Sequence, residues 1–114
     1  MATEDQEQIA LVEWFELQYP QYAPDLIHIA NQRRCTPQRG RSLKNMGVKA
    51  GVADIFIAVP RAPYSGLWIE LKAGMGKLSP AQQRFLERMI ERGYMAVACW
   101  GFENAQHVIK QYLA

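Results

Sequence analysis

The pattern of apolar and polar positions along the chain predicts three helices and four short strands. Residues 4–18 distribute apolar and polar side chains as an amphipathic helix does, with Thr3 as its N-cap and Tyr19-Pro20 as its end. Ser79-Pro80 opens a second helix, and residues 102–113 form a third. Short β-branched and aromatic runs predict strands at 26–30, 55–59, 67–72 and 94–100. The predicted order is α-β-β-β-α-β-α, an α/β arrangement.

The stretch from Asn31 to Gly51 has no sustained periodicity, and we predict that it is a long loop. The first 25 residues carry six acidic residues and no Lys or Arg, whereas residues 26–53 carry six basic residues and no acid. These basic residues are Arg33, Arg34, Arg39, Arg41, Lys44 and Lys49. Because Lys and Arg neutralise phosphates whatever the base sequence, the loop is a candidate nucleic-acid-binding segment. The alternative is a solvated loop whose charges confer solubility.

Two acids and a lysine lie at the ends of the predicted second and third strands. Asp54 precedes one strand, and the turn from Pro60 to Gly66 leads into the next, which ends in Glu70, Leu71 and Lys72. Side chains alternate along a strand, so Glu70 and Lys72 share one face and Leu71 takes the other. Antiparallel pairing would place Asp54 beside Glu70. Carboxylates suit Mg²⁺ or Mn²⁺, and a nearby lysine can orient or activate water. The alternative is a strand-entry cap and a solvated ion pair on an edge strand.

The order Asp54, then Glu70-Leu71-Lys72 across a hairpin, resembles the PD-(D/E)xK nuclease superfamily. Two longer segments resemble the VRR-NUC family, virus-type replication-repair nucleases, in its small stand-alone phage or prophage form. These segments are GVKAGVADIFIAVP and GLWIELKAGMGKLSPAQQRFLERMIERGYMAVACWGFENAQHVIKQYL. The similarity runs from about Glu4 to the C-terminus. Ala53 stands where the family usually has proline, a residue that shapes backbone and supplies no ligand.

The resemblance implies a restriction-endonuclease-like core with a mixed central sheet flanked by helices. It also implies that Asp54, Glu70 and the main-chain carbonyl of Leu71 hold Mg²⁺ or Mn²⁺, with Lys72 acting on the attacking water. Further expectations from the family are a metal role for Glu4, a substrate or site-shaping role for Asn31 and a supporting role for Gln82. From the residues alone, Glu4 could instead complement the helix dipole, with Glu7 as the metal ligand, and Gln82 could serve only as a helix cap.

A length of 114 residues predicts one domain, 1–114, and its composition is typical of a globular protein. The chain has no membrane-length apolar run, and its acidic start lacks the basic region of a signal peptide, so we expect a cytoplasmic protein of the bacterial host. Cys35 and Cys99 fit no metal spacing and are expected to be free thiols. The predicted function is metal-dependent endonuclease action on DNA. From the resemblance, the protein is expected to be a homodimer that cuts branched DNA such as four-way junctions. The competing hypothesis is a non-catalytic nucleic-acid-binding module.

Overall fold

A four-stranded mixed sheet organises the computed structural model, which describes residues 2–29 and 36–114. The strands are β1 (Leu26–His28), β2 (Ile55–Ile57), β3 (Leu67–Lys72) and β4 (Met95–Trp100), and they lie in this order across the sheet. β1 pairs with β2 and β2 with β3 in antiparallel fashion, whereas β3 and β4 are parallel. A parallel pair needs a crossover connection, which here is a helix.

In the described ranges, four α-helices accompany the sheet: α1 (Glu4–Gln18), α2 (Pro37–Asn45), α3 (Pro80–Glu91) and α4 (Phe102–Leu113). α1 begins with a capping box. Thr3 Oγ1 accepts a hydrogen bond from the main-chain N–H of Gln6, and Gln6 Oε1 accepts one from the main-chain N–H of Thr3. α3 begins with the same arrangement, built from Ser79 and Gln82. These caps satisfy backbone N–H groups that a helix leaves unpaired, and they fix where both helices start.

The two faces of the sheet are covered by different helices. Leu67, Ile69 and Leu71 of β3 pack with Leu11 and Phe15 of α1 and with residues of α4 in the larger core. On the opposite face, Trp68 packs with Phe85 and Leu86 of α3 in a smaller cluster. The alternation along β3 therefore assigns Glu70 and Lys72 to the α3 face, while Leu71 anchors the same strand in the main core.

The predicted α/β fold with a mixed sheet flanked by helices is confirmed, with two additions. The prediction of a loop throughout 31–51 was wrong for Pro37–Asn45, which form α2. Thr36 caps α2 by accepting from the Arg39 amide, and Pro37 occupies the first turn. A 3-10 helix at Pro20–Asp25 was also not predicted. β1 and β2 are shorter than expected, since each has three residues in the ladder.

Two further sequence predictions concern membranes and thiols. Among the described residues, no helix is long and apolar enough to cross a membrane. Cys99 is a free, buried thiol, and burial raises its pKa to about 11, so the reactive thiolate is scarce near neutral pH. Cys35 lies outside the described residues.

Candidate functional site

The register of the β2–β3 hairpin places Asp54 beside Glu70. Ile55 pairs with Ile69, so the next position outward on each strand brings Asp54 opposite Glu70. Asp54 is fixed there because its Oδ2 accepts a hydrogen bond from the Leu71 amide at 2.9 Å. Both carboxylate residues are almost fully enclosed, with 3% of Asp54 and 1% of Glu70 exposed. The hairpin thus brings two acids together in a site of low solvent access.

A third acid reaches the site from the first turn of α1. Carboxylate oxygens of Glu4, Asp54 and Glu70 all lie within 4.8 Å of one another. Glu7, the alternative considered from sequence, has a different partner: its Oε2 accepts a hydrogen bond from the Phe102 amide at the start of α4. Glu7 therefore caps α4, and of the two glutamates it is Glu4 that lies with the buried acids.

Lys72 adds a cation to the same face. Its Nζ lies 3.8 Å from Glu70 Oε2, and only 6% of the residue is exposed. Burying several carboxylates together is costly unless they are paired or bind a metal. Three convergent carboxylates are the donor set that Mg²⁺ or Mn²⁺ accepts, so the residues present fit a divalent cation.

Gln82 combines the two roles considered from sequence. Its Oε1 accepts from the Ser79 amide at 2.8 Å, which completes the α3 capping box. Its Nε2 donates to Glu70 Oε2 at 3.2 Å. Because an amide carries an acceptor and a donor on one planar group, the cap that starts α3 also fixes the Glu70 carboxylate.

His28 also lies at this site, although no local spacing in the sequence points to it. Its Nδ1 is 3.2 Å from the main-chain oxygen of Asp54 and 2.9 Å from Nε2 of Gln8. The Asp54 carbonyl also accepts from the Ile29 amide at 2.8 Å. The segment of β1 and Ile29 therefore holds the backbone of Asp54, and α1 contacts that segment through Gln8. Gln8, four residues after Glu4 on one helix face, was the available sequence signal for this contact.

The basic segment precedes the site directly in the chain. Arg39, Arg41 and Lys44 are exposed on α2, and Lys49 is exposed beyond it. Asn31, Arg33 and Arg34 lie outside the described residues. Gly51 joins the segment to the site with φ +84°, and a Cβ there would be 2.7 Å from the Ala81 backbone. Glycine is required for this close approach, which anchors the end of the basic segment against the first turn of α3.

Two comparisons find similar proteins. The model of the VRR-NUC domain matches residues 2–103. A solved structure described as a VRR_NUC domain protein superposes with a TM-score of 0.85 and 33% sequence identity, covering 98% of this chain and 88% of the other. No curated protein matches the chain.

Proposed function

The chain belongs to the VRR-NUC family, and on that premise we propose that it is a metal-dependent, structure-selective DNA endonuclease. The family indicates a nuclease-type domain. The observation that carries the proposal is the convergence of the Glu4, Asp54 and Glu70 carboxylates within 4.8 Å, beside Lys72. Converging carboxylates that can hold a divalent cation, next to an amine, are suited to phosphodiester hydrolysis. The sequence offers no Ser-His or Cys-His pairing that would argue for a covalent enzyme intermediate.

Each site residue has a proposed role. Asp54, Glu70 and the Leu71 carbonyl would hold Mg²⁺ or Mn²⁺, with Glu4 binding directly or through water. The bound cation would supply Lewis-acid stabilisation of the charge that develops on the phosphate. Lys72 would orient the attacking water or accept its proton at Nζ, which the nearby Glu70 carboxylate keeps within the site. Gln82 would hold Glu70 in its orientation.

We propose DNA as the substrate, gripped through phosphates by the exposed basic residues of α2 and Lys49. Branched DNA such as a four-way junction, cut by a homodimer, is the finer proposal. The protomer measures only 42 × 34 × 27 Å, so one protomer has little surface with which to contact several arms of a junction. A two-fold dimer would present two sites and suit paired, symmetric nicks.

The proposed activity is tested with a labelled four-way junction and a linear duplex built from the same arm sequences. Each DNA is incubated with Mg²⁺, Mn²⁺ or EDTA and with wild type, Glu70→Gln or Glu87→Gln. Glu87 is an exposed acid of α3, so it controls for loss of one negative charge. We expect cleavage with either metal and none in EDTA. Glu70→Gln should be slower by roughly a hundredfold or more, and Glu87→Gln unchanged.

The ratio of junction to duplex cleavage tests the finer proposal, since equal rates would contradict structure selectivity. Salt-dependent DNA binding with no cleavage in either metal, equal in wild type and Glu70→Gln, would instead support the non-catalytic binding module.

Gln82→Glu is expected to lower cleavage by roughly tenfold or more while keeping the helix cap. A glutamate at this position still accepts from the Ser79 amide, as capping boxes allow. The new carboxylate faces Glu70 Oε2, however, where the amide was the donor. Cleavage and thermal melting are measured together, with Gln83→Glu on the exposed side of the same turn as control. Equal effects of the two substitutions would contradict a specific role for Gln82.

A further inference from the structure

Trp100 differs from the other two tryptophans because its ring is not used by the core. Trp14 packs against Phe15, Tyr19 and Phe102. Trp68 likewise packs against three rings, those of Phe56, Phe85 and Tyr94. In the described part of the chain no aromatic ring packs against Trp100, and 44% of the residue is exposed. A large apolar ring therefore stays partly in water without a packing explanation.

The Trp100 side chain is nevertheless held in one place. Its indole Nε1 donates to the Gly76 carbonyl at 2.7 Å, in the connection between β3 and α3. Its main-chain amide donates to Asn104 Oδ1 at 3.2 Å. The first bond restrains the ring and the second restrains the backbone that carries it, so a group that packs on the ring causes little further loss of side-chain entropy.

The position of Trp100 links it to the candidate site. Trp100 is the register partner of Lys72 in the parallel β3–β4 pair, and the Gly101 amide donates to the Lys72 carbonyl at 2.9 Å. Directly paired residues project from the same face of a sheet, and neighbouring strands are about 4.8 Å apart. The indole thus lies next to the lysine proposed to act on the attacking water.

The surroundings of the ring favour a base over a phosphate. Trp100 lines an open cavity of about 440 Å³ between the beginnings of α1 and α4. Charged side chains lining it are those of Glu7 and Glu103, and the described lining includes no Lys or Arg. Carboxylates repel a phosphate, whereas they can accept hydrogen bonds from the amino groups of a nucleobase.

We infer that Trp100 is a stacking platform for an unpaired nucleobase adjacent to the cleaved phosphodiester, and hence a residue that determines substrate structure. This inference rests on the proposed nuclease function. A base inside a continuous duplex has both faces stacked on its neighbours, so only DNA interrupted at the cut, by a branch or a single-stranded segment, offers a free face. Stacking on an aromatic side chain is tolerant of base identity, so selectivity is for structure and not for sequence.

The test compares wild type, Trp100→Ala and Trp100→Phe for binding, in EDTA, to a continuous duplex and to a branched DNA of the same sequence. We expect Trp100→Ala to weaken binding to branched DNA by roughly tenfold or more, and binding to the duplex by less than about twofold. Trp100→Phe keeps a stacking ring but loses the bond to Gly76, so it should bind branched DNA within about threefold of wild type.

A second experiment changes the DNA instead of the protein. Once the cut is mapped, the bases flanking it are replaced one at a time by an abasic residue. Wild type should lose affinity at one of these positions by a factor similar to that of Trp100→Ala, and Trp100→Ala should lose nothing further there. The wild-type measurement stands even if Trp100→Ala fails to fold.

Three results would overturn the inference: equal loss on branched and continuous DNA, equal loss in Trp100→Phe and Trp100→Ala, or an abasic penalty that persists in Trp100→Ala. The second would assign the effect to the bond with Gly76. Cleavage by wild type separates the two proposals. An active enzyme whose Trp100 variants match wild type on every DNA refutes the platform alone. A preference for branched DNA that depends on Trp100, without any cleavage, refutes the nuclease function and leaves Trp100 as a stacking residue of a binding protein.

Discussion

Asp54→Asn is expected to slow metal-dependent DNA cleavage by roughly a hundredfold or more without destabilising the protein. The asparagine amide oxygen can still accept from the Leu71 amide, which Asp54 Oδ2 accepts at 2.9 Å. What the substitution removes is one negative charge from three carboxylates within 4.8 Å of one another. Because the bond to the Leu71 amide is kept, the thermal midpoint in EDTA should stay close to that of wild type.

Asp54→Ala separates the charge from the hydrogen bond. It removes the same charge but also leaves the buried Leu71 amide without its acceptor, which costs about 1–3 kcal/mol. We therefore expect Asp54→Ala to be inactive and less stable, and Asp54→Asn to be inactive but stable. Thermal melting with Mn²⁺ and with EDTA provides the comparison, since a cation that binds only the folded state raises the midpoint. Asp54→Asn should lose most of this rise. A full Mn²⁺-induced rise in Asp54→Asn would contradict a ligand role.

The hairpin explains why much of the site could be predicted from sequence. Local β-propensity defined the two apolar runs, and the period of two along a strand placed Glu70 and Lys72 together and Leu71 in the core. The observed register confirms the predicted neighbourhood of Asp54 and Glu70. Capping signals worked for the same reason, because Thr3 and Ser79 satisfy helix N–H groups a few residues away.

What could not be predicted depends on contacts between distant segments. Glu7 caps α4 through its bond with the Phe102 amide, 95 residues away, and no local sequence pattern encodes such a contact. His28 likewise meets Gln8 and Asp54 only when α1, β1 and β2 are assembled. α2 was missed for a different reason. It is polar on every side apart from half-buried Leu43, so it lacks the apolar stripe by which an amphipathic helix is detected. The Thr36-Pro37 cap was its only local signal.

The same assembly explains how a small domain can hold several acids close together. α1 is tied to α4 through Glu7 and to β1 through Gln8, so the helix is held at two positions one turn after Glu4. Asp54 and Glu70 are held by Leu71 and Gln82. Apolar burial and helix capping by other residues therefore offset the unfavourable free energy of holding these carboxylates together. Functional sites commonly depend on stability supplied elsewhere in the fold.

Lys72→Met is expected to slow cleavage by roughly a hundredfold to ten-thousandfold, the range for loss of a positioned proton-transfer group. Unlike Asp54→Asn, it should preserve the Mn²⁺-induced rise in thermal midpoint or increase it. The reason is electrostatic: the Lys72 ammonium lies 3.8 Å from Glu70 Oε2 and competes with a cation for that carboxylate. Methionine keeps an apolar side chain of similar length next to Gly76, where the methylenes of Lys72 lie, and removes the ammonium charge.

Lys72→Arg distinguishes a proton acceptor from a fixed positive charge. A guanidinium remains protonated at any working pH, so Arg cannot take a proton from water. If Lys72 acts as a base, Lys72→Arg will be as slow as Lys72→Met, whereas a purely electrostatic role predicts partial activity in Lys72→Arg. Lys77→Met, which removes an exposed lysine from the connection after β3, provides the matched control and should cleave at the wild-type rate. Lys72→Met with wild-type cleavage would exclude Lys72 from the chemistry and leave the acids and their cation to activate water alone.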